Sequence, residues 1–249
     1  MRHNFPGFPD EISTRIELPD IAELLISPAF QGIAPEDFLK HATDFQRYLF
    51  DRVPLRNDKK YVLIRSGVWL LEPGYRSHVD SCGEWHVDTE GYQHDGQNNP
   101  ERFFLLSSSC SALTEFNTFP LEVETNESQL NRALRSILHD DRAKPLIGKE
   151  IEPNRIYTVE KHIHRAVDPT RIEFRFFFRV VESDHSFPWT KAPLEKVLLR
   201  RCDTREDEVN VRYCDKGVEI RYPSARSLCF SKGNQTSGLF GGPIASVER

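Results

Sequence analysis

The stretch RIEFRFFFRVVES (residues 171–183) has a regular alternation of side chains that predicts a β-strand. Because successive side chains of a strand point to opposite faces, Phe174, Phe176 and Phe178 share one face, which predicts contact with an apolar core. Arg175 and Arg179 share the other face with Phe177. A guanidinium stays charged and needs water or a partner, so this face predicts either exposed sheet surface or a cavity that binds anions.

Other segments of the chain have the same β-like texture. They are rich in Val, Ile, Phe and Tyr and are bounded by Gly, Pro, Asn or Asp, which is typical of short strands. These segments are KYVLIRSGVWLL (60–71), ERFFLLSSS (101–109), LEVET (121–125), RIYTVEKHIH (155–164), EVNVRYC (208–214) and GVEIRYP (217–223). YCDKGVE (213–219) between the last two reads as a hairpin turn. The sequence therefore predicts a mostly β fold, a sandwich or barrel.

Two segments have helical spacing instead. PEDFLKHATDFQRYLFDRV (35–53) places apolar residues at near-helical intervals, with Pro35 opening an acidic first turn. ESQLNRALRSILHDD (127–141) repeats leucine every four residues, and Asn126 or Ser128 can cap its start. We expect a helical N-terminal flank over residues 1–59 and one helix inserted among the strands.

Composition excludes several classes of protein. The net charge of −5 and the sequence pI near 6.0 argue against a nucleic-acid-binding or membrane-surface protein. The apolar runs are far shorter than a membrane span, and the N-terminus lacks the basic-then-apolar order of a signal peptide. The five cysteines have no Cys-x-x-Cys spacing. Free thiols in a reducing compartment are the expected state, so we expect a cytoplasmic protein.

His-x-Asp occurs three times, at His78/Asp80, His86/Asp88 and His139/Asp141. In a strand, residues two apart lie on the same face, so the motif directs an imidazole and a carboxylate towards one point. The third pair lies at the end of the expected helix 127–141 and reads as a solvated helix end.

A second histidine is needed for a firm iron site, since two protein ligands hold iron weakly. The segment RIYTVEKHIH supplies two candidates, His162 and His164. Together with a His-x-Asp pair, either one completes a 2-His-1-carboxylate set, which leaves three coordination positions open.

The order of these features resembles the iron(II)/2-oxoglutarate-dependent oxygenases with a double-stranded β-helix (jelly-roll) core, and the spacing is most similar to the taurine dioxygenase and clavaminate synthase branch. Trp85 precedes His86 in EWHVDTEG (84–91), as is frequent in that family. Thr114 follows Asp88 by 26 residues, whereas it follows Asp80 by 34, which favours the second pair. Arg175 follows His164 by 11 residues and Arg179 follows four later, which favours His164 over His162.

The resemblance implies roles for these residues. His86, Asp88 and His164 would be the catalytic iron ligands, and Arg175 with Thr114 would bind 2-oxoglutarate. Arg179, Trp85, Tyr92 and His162 would face the substrate. The implied reaction is the hydroxylation, or another oxidation, of a C–H bond by O2, with release of succinate and CO2.

The resemblance covers about residues 60–185, which would be a jelly-roll, cupin-like core within a single domain of residues 1–249. Residues 186–249 would form a β-rich C-terminal extension. The family's usual Pro-Gly turn before the distal strand is Pro153-Asn154 here, and the chain after residue 190 matches no pattern of the family.

The substrate is less defined. Arg179, Arg165 or Arg171 could meet an anionic group, which suggests a small polar or amino-acid-like molecule. The polar segment TEGYQHDGQNNPE (89–101) reads as a lid. No nucleic-acid or membrane partner is expected, and no oligomeric state is indicated.

Two other functions fit the same residues. A cupin-type metal oxygenase or isomerase would not use 2-oxoglutarate, would not need Thr114 or Arg175, and usually has a third histidine. A non-catalytic jelly-roll binding module would use the arginines to hold an anionic ligand.

Overall fold

The computed structural model describes residues 1–71, 73, 85–89, 101–138 and 145–185, together with four strands between residues 197 and 231. The described residues form four helices, α1 (Ile21–Ile26), α2 (Pro35–His41), α3 (Asp44–Phe50) and α4 (Leu130–Leu138). They also form fifteen strands, β1 (Arg2–Phe5), β2 (Asp10–Glu11), β3 (Phe30–Ile33), β4 (Tyr61–Leu71), β5 (Arg102–Ser107), β6 (Glu115–Asn117), β7 (Leu121–Glu124), β8 (Gly148–Glu150), β9 (Tyr157–Val159), β10 (His164–Arg165), β11 (Glu173–Ser183), β12 (Val197–Arg200), β13 (Glu206–Cys214), β14 (Gly217–Arg221) and β15 (Ser227–Ser231). Within these residues, no helix reaches the length and hydropathy of a membrane-spanning segment.

The fold is mostly β with antiparallel pairing and few helices, which confirms the predicted fold class at that level. The larger sheet has the order β15-β14-β13-β12-β4-β11-β5-β9-β2, and β3 also pairs with β4. Its described pairings are antiparallel apart from the one between β12 and β4. The pairing of β13 with β14 agrees with the hairpin predicted for residues 213–219.

Strand β11 lies at the centre of this sheet, between β4 and β5. Its three even-numbered phenylalanines, Phe174, Phe176 and Phe178, are at most 5% exposed and pack in one core cluster with α2, α3 and β3. This outcome confirms the prediction that the phenylalanine face is core. Burial of each ring contributes roughly 1.5–3 kcal/mol, so the alternation of β11 fixes which side of the sheet the helices cover.

A smaller sheet covers the opposite side. It consists of β10, β6 and β8, and His86 joins it through an antiparallel bridge to His164. Apolar residues of the two sheets share one core cluster, in which Trp69 and Leu105 of the larger sheet accompany Phe116 of the smaller one. The candidate site lies in the gap between the two sheets.

The strand pairs are nested in sequence. The innermost pair is β6 with β8, the next is β5 with β9, then His86 with His164, and the outermost is β4 with β11. Each of these four pairs is antiparallel, so the eight described segments form the outgoing and returning halves of a two-stranded ribbon. Successive pairs of this ribbon belong alternately to the smaller and the larger sheet.

The N-terminal flank differs from the prediction in two ways. The expected helix 35–53 is two helices, because Thr43 starts α3 with a capping box in which its hydroxyl accepts from the Gln46 N–H and the Gln46 side chain accepts from the Thr43 N–H. The Gln46 side chain also donates to the Pro28 carbonyl at 2.8 Å. This hydrogen bond connects the start of α3 to the segment just before β3. Besides the helices α1, α2 and α3, the flank also contains strands β1, β2 and β3, which were not predicted.

A buried ionic network joins the flank to the sheet. The Glu182 side chain is fully buried and accepts from the backbone N–H groups of Arg56 and Asn57, both at 3.0 Å. Its other oxygen accepts from the Arg102 Nε at 2.7 Å, and Arg102 also pairs with Asp58. A carboxylate at this depth is tolerated because both of its oxygens are satisfied.

This network predicts a large effect of a small change. We expect Glu182→Gln to lower the free energy of unfolding by about 3–5 kcal/mol, because Arg102 would remain buried after losing its main counter-ion. Urea denaturation followed by circular dichroism measures this difference. The matched control is Asp37→Asn, which breaks an exposed ion pair with Lys40 and should leave the stability nearly unchanged. Equal stability of Glu182→Gln and wild type would contradict the assignment.

Candidate metal centre and anion pocket

His86, Asp88 and His164 converge because two backbone segments pair directly. The His86 N–H donates to the His164 carbonyl and the His164 N–H donates to the His86 carbonyl, both at 2.9 Å. This pairing brings the imidazole centroids to 4.4 Å. The Asp88 Oδ1 lies 3.6 Å from the Nε2 of each histidine. One potential ligand atom from each residue lies within 4.8 Å of the others, so the cluster could hold a metal ion.

Alternation along both segments explains why these side chains face the pocket. Val87 lies between His86 and Asp88 and is 1% exposed, and Ile163 precedes His164 and is fully buried. Both apolar side chains point away from the pocket into a core cluster that contains α4 residues Leu130, Ala133 and Leu134. The opposite faces of the same segments are therefore left to the polar ligands.

His164 is held in the neutral form suited to a metal ligand. Burial, reinforced by the neighbouring His86, lowers the pKa of His164 to about 3. Its Nδ1 lies 3.0 Å from the His162 carbonyl, an acceptor that assigns the ring proton to Nδ1. The Nε2 lone pair then points to the side of Asp88 and is available for a metal.

Asp88 is held by Arg179 and Glu101, and its Oδ1 faces the two histidines. The Arg179 Nη2 lies 2.9 Å from Asp88 Oδ2 and 2.6 Å from the Glu101 Oε2. The Glu101 N–H also donates to the Asp88 carbonyl at 3.1 Å. Glu101 is 4% exposed, and its carboxylate balances the charge of the partly buried Arg179.

Arg175 supplies a buried positive charge to the same pocket. Its side chain is 6% exposed, its Nη1 donates to the Ala112 carbonyl at 3.2 Å, and its guanidinium carbon lies 5.1 Å from the Phe177 ring centroid. Burial lowers the pKa of Arg175, although a guanidinium remains charged at neutral pH. The alternative that the arginine face of β11 is exposed sheet surface is therefore wrong.

The three potential metal ligands and Arg175 line the same pocket. The described residues that line it are Arg65, Trp69, His86, Asp88, Phe103, Leu105, Thr114, His164, Ala166, Arg175, Phe177 and Arg179. Five of the residues singled out in the sequence for metal or 2-oxoglutarate binding are among them: His86, Asp88, Thr114, His164 and Arg175. They come from four well-separated parts of the chain, and the fold places them around one space.

The loop behind Arg175 is anchored by another buried carboxylate. Glu173 is 3% exposed and accepts from both the N–H and the hydroxyl of Ser111, next to Ala112. Arg171 donates its Nε to the other Glu173 oxygen at 2.9 Å. The position of the Ala112 carbonyl, and hence of the Arg175 guanidinium, is set by this arrangement.

The structure does not bring Trp85 and His162 into the pocket lining. Trp85 lies under the Arg165 guanidinium, which is 4.5 Å from its ring centroid, and Arg165 pairs with Glu115. The His162 Nδ1 accepts from the Glu160 N–H at 2.9 Å, and its ring meets Phe116 edge-on. RIYTVEKHIH is also not one strand, because β9 ends at Val159 and β10 starts at His164. The expected common strand face of His162 and His164 is therefore absent.

Other sequence candidates lie outside the described residues. These are His78, Asp80, Tyr92, His139 and Asp141, together with most of the expected lid 89–101. Of the cysteines, Cys110 is buried and free, as expected for a reduced thiol.

The arginines proposed for an anionic substrate all have carboxylate partners. Arg179 pairs with Asp88 and Glu101, Arg171 pairs with Glu173, and Arg165 pairs with Glu115. Arg179 also lines the pocket, and a substrate-binding role for it stays a prediction.

Two charged residues of the site were missed in the sequence: Arg65, which lines the pocket, and Glu101, which pairs with Arg179. Arg65 of β4 is opposite Arg179 in the strand register, and its guanidinium carbon lies 5.4 Å from the Trp69 ring centroid. The alternation of Arg65, Gly67 and Trp69 is visible in the sequence, but the register that turns it towards the pocket is not. Glu101 was read as the end of a polar loop, and its pairing with Arg179 spans 78 residues of chain.

Comparison with models of protein families, with curated proteins and with solved structures finds no significant match for this chain.

The environment of His164 predicts a pH dependence in the metal-free protein. The folded-state pKa of about 3 is below the ordinary value of 6.5, so the unfolded chain takes up the proton first as the pH falls. The contribution of His164 to stability is thus complete above pH 6.5 and is lost progressively towards pH 3. Nitrogen-detected NMR of the imidazole should find it neutral, with the proton on Nδ1, at pH 5. Titration with a midpoint near 6.5 would contradict this environment.

Proposed function

We propose that the protein is an iron(II)/2-oxoglutarate-dependent oxygenase with a double-stranded β-helix core. The observation that carries the proposal is that a 2-His-1-carboxylate cluster, a buried arginine and a threonine line one pocket. A set of potential metal ligands alone is compatible with many activities. The buried Arg175 adds the positive charge that a dicarboxylate co-substrate requires.

The nested strand pairs support the proposed core. A double-stranded β-helix is a two-stranded antiparallel ribbon wound so that its successive pairs alternate between two facing sheets. The four pairs β4 with β11, His86 with His164, β5 with β9, and β6 with β8 have this order. In the same order, both histidines belong to the second pair, and Arg175 belongs to the return strand of the first.

The donor set supports iron as the metal. Two neutral imidazoles and one carboxylate are the protein ligands of non-heme iron(II) sites that keep positions open for other ligands. His86, Asp88 and His164 would hold the ion, and when bound it would supply activation of O2 for oxidation of a C–H bond. The share of the protein is to keep His164 neutral, to hold Asp88 by Arg179, and to fix the direction of each ligand.

The buried Arg175 supports 2-oxoglutarate as co-substrate. A carboxylate prefers a planar, permanently charged donor with two parallel N–H groups, which Arg175 provides, and the Thr114 hydroxyl can add a further hydrogen bond. Trp69, Leu105 and Phe177 also line the pocket. Such apolar walls strengthen a charge-assisted hydrogen bond by excluding water. The products of this co-substrate would be succinate and CO2.

A cupin-type enzyme without 2-oxoglutarate is less well supported. Such a site usually has a third histidine, and the cluster found among the described residues contains two. The nearby His162 binds a backbone N–H and packs on Phe116 instead. We propose a small polar molecule as the substrate, on the basis of the mixed polar and aromatic lining of the pocket.

Anaerobic titration separates the two parts of the proposal. Iron(II) followed by 2-oxoglutarate should produce a visible metal-to-ligand charge-transfer band, and aerobic incubation should release succinate. His86→Ala should abolish both the iron binding and the band, since it removes one of three protein ligands. If wild-type protein gives neither band nor succinate, the proposed function is wrong.

Arg175→Met tests the co-substrate separately from the metal. We expect iron(II) affinity within about threefold of wild type and 2-oxoglutarate affinity lower by roughly 100-fold, because two charge-assisted hydrogen bonds are lost. Isothermal titration under anaerobic conditions measures both affinities. The matched control is Arg155→Met, which removes an arginine that pairs with Glu11 outside the pocket. Unchanged 2-oxoglutarate affinity in Arg175→Met would show that another group binds the carboxylate.

A further inference from the structure

Helix α4 contacts the metal-binding segment through one side chain that the proposed mechanism does not use. The Val87 N–H donates to the Asn131 Oδ1 at 2.8 Å, and the Asn131 Nδ2 donates to the Val87 carbonyl at 2.8 Å. Val87 is the residue between the two potential ligands His86 and Asp88. Its peptide groups are thus held by a single carboxamide from a helix 44 residues away in sequence.

The direction of the strand explains why this contact is needed. His86 exchanges both of its backbone hydrogen bonds with His164, so the backbone groups of the next residue point to the opposite side. Val87 is 1% exposed, and a buried N–H or carbonyl without a partner is costly. A carboxamide carries one acceptor and one donor side by side, and it therefore satisfies Val87 as a paired residue of a neighbouring strand would.

The helix is itself fixed against this segment. Leu130, Ala133 and Leu134 are at most 1% exposed and pack with Val87 and Ile163 in one cluster. Asn131 directly follows Leu130 in α4 and is only partly buried, and its carboxamide reaches the Val87 peptide. The carboxamide therefore extends from a packed helix, and its two hydrogen bonds hold the Val87 peptide directly.

We propose that Asn131 is a positioning residue for the metal site, which fixes the peptide between His86 and Asp88 so that both side chains point to one ion. This inference rests on the proposed function. Without the two hydrogen bonds, the Val87 peptide can rotate, and rotation there turns the imidazole and the carboxylate relative to each other. The effect of Asn131 should thus be on metal affinity, beyond its effect on folding.

The test compares three variants by iron(II) affinity, measured anaerobically by competition with a chromogenic chelator. Asn131→Leu removes both hydrogen bonds at similar volume. Asn131→Asp keeps the acceptor for the Val87 N–H but places an oxygen opposite the Val87 carbonyl. Leu134→Ala is the matched control, because it weakens the same helix contact without touching the Val87 peptide.

We expect both Asn131 variants to bind iron(II) about 10- to 100-fold more weakly than wild type, and Leu134→Ala to stay within about threefold. The thermal midpoint of each metal-free variant records the stability effect separately. Asn131 variants that bind iron(II) as well as Leu134→Ala does would overturn the inference while leaving the proposed function intact. Wild-type protein that binds no iron(II) would overturn the proposed function, and this inference with it.

Hydrogen exchange of the wild-type protein gives an independent measurement if an Asn131 variant does not fold. The Val87 amide should exchange with solvent as slowly as the His164 amide, which donates to a backbone carbonyl. Exchange of Val87 at the rate of an exposed loop would overturn the inference without any substitution.

Discussion

The pair of backbone hydrogen bonds between His86 and His164 is the interaction on which the site depends. Neither segment is a long strand, and each contributes few pairings of its own. Their register decides whether two imidazoles and a carboxylate meet or miss each other, because a shift of one residue would turn Val87 and Ile163 into the pocket. The contacts around them maintain this register: the apolar cluster on one side, and Arg179 with Glu101 on the other.

Charge is distributed unevenly along the pocket. At the metal end, His164 is kept neutral by burial, and the carboxylate of Asp88 is partly balanced by Arg179. Elsewhere in the pocket lining, Arg175 and Arg65 provide cations next to aromatic rings. A ligand that carries both a negative charge and metal-binding oxygens would be oriented by these charges.

Much of this arrangement could be predicted from local patterns. A period of two defines the faces of β11, and the same rule places His86 and Asp88 on one side of their segment. The break between α2 and α3 was also readable, since Thr43 and Gln46 have the capping-box spacing, but the continuous apolar spacing concealed it. The early strands β1, β2 and β3 were not predicted because each has at most four residues, too few to show a period of two.

The contacts that hold the site were harder to foresee, because their partners are distant in sequence. Asn131 binds Val87 across 44 residues, and Glu101 binds Arg179 across 78. Asparagine on a helix and glutamate at the end of a loop are common on protein surfaces, so residue type gives little signal. Their role depends on how the ribbon is wound, and no single segment contains that information.

Because the strand pairs are nested, a bound ion would affect the stability of the fold. His86 belongs to the outgoing half of the ribbon and His164 to the returning half, so an ion shared by them would act as a removable cross-link between the two halves. Because the site exists only in the folded protein, ligation would stabilise the folded state, and withdrawal of the ion would remove this link between the two halves. If the site binds a metal ion, its removal would therefore lower the stability of the folded protein.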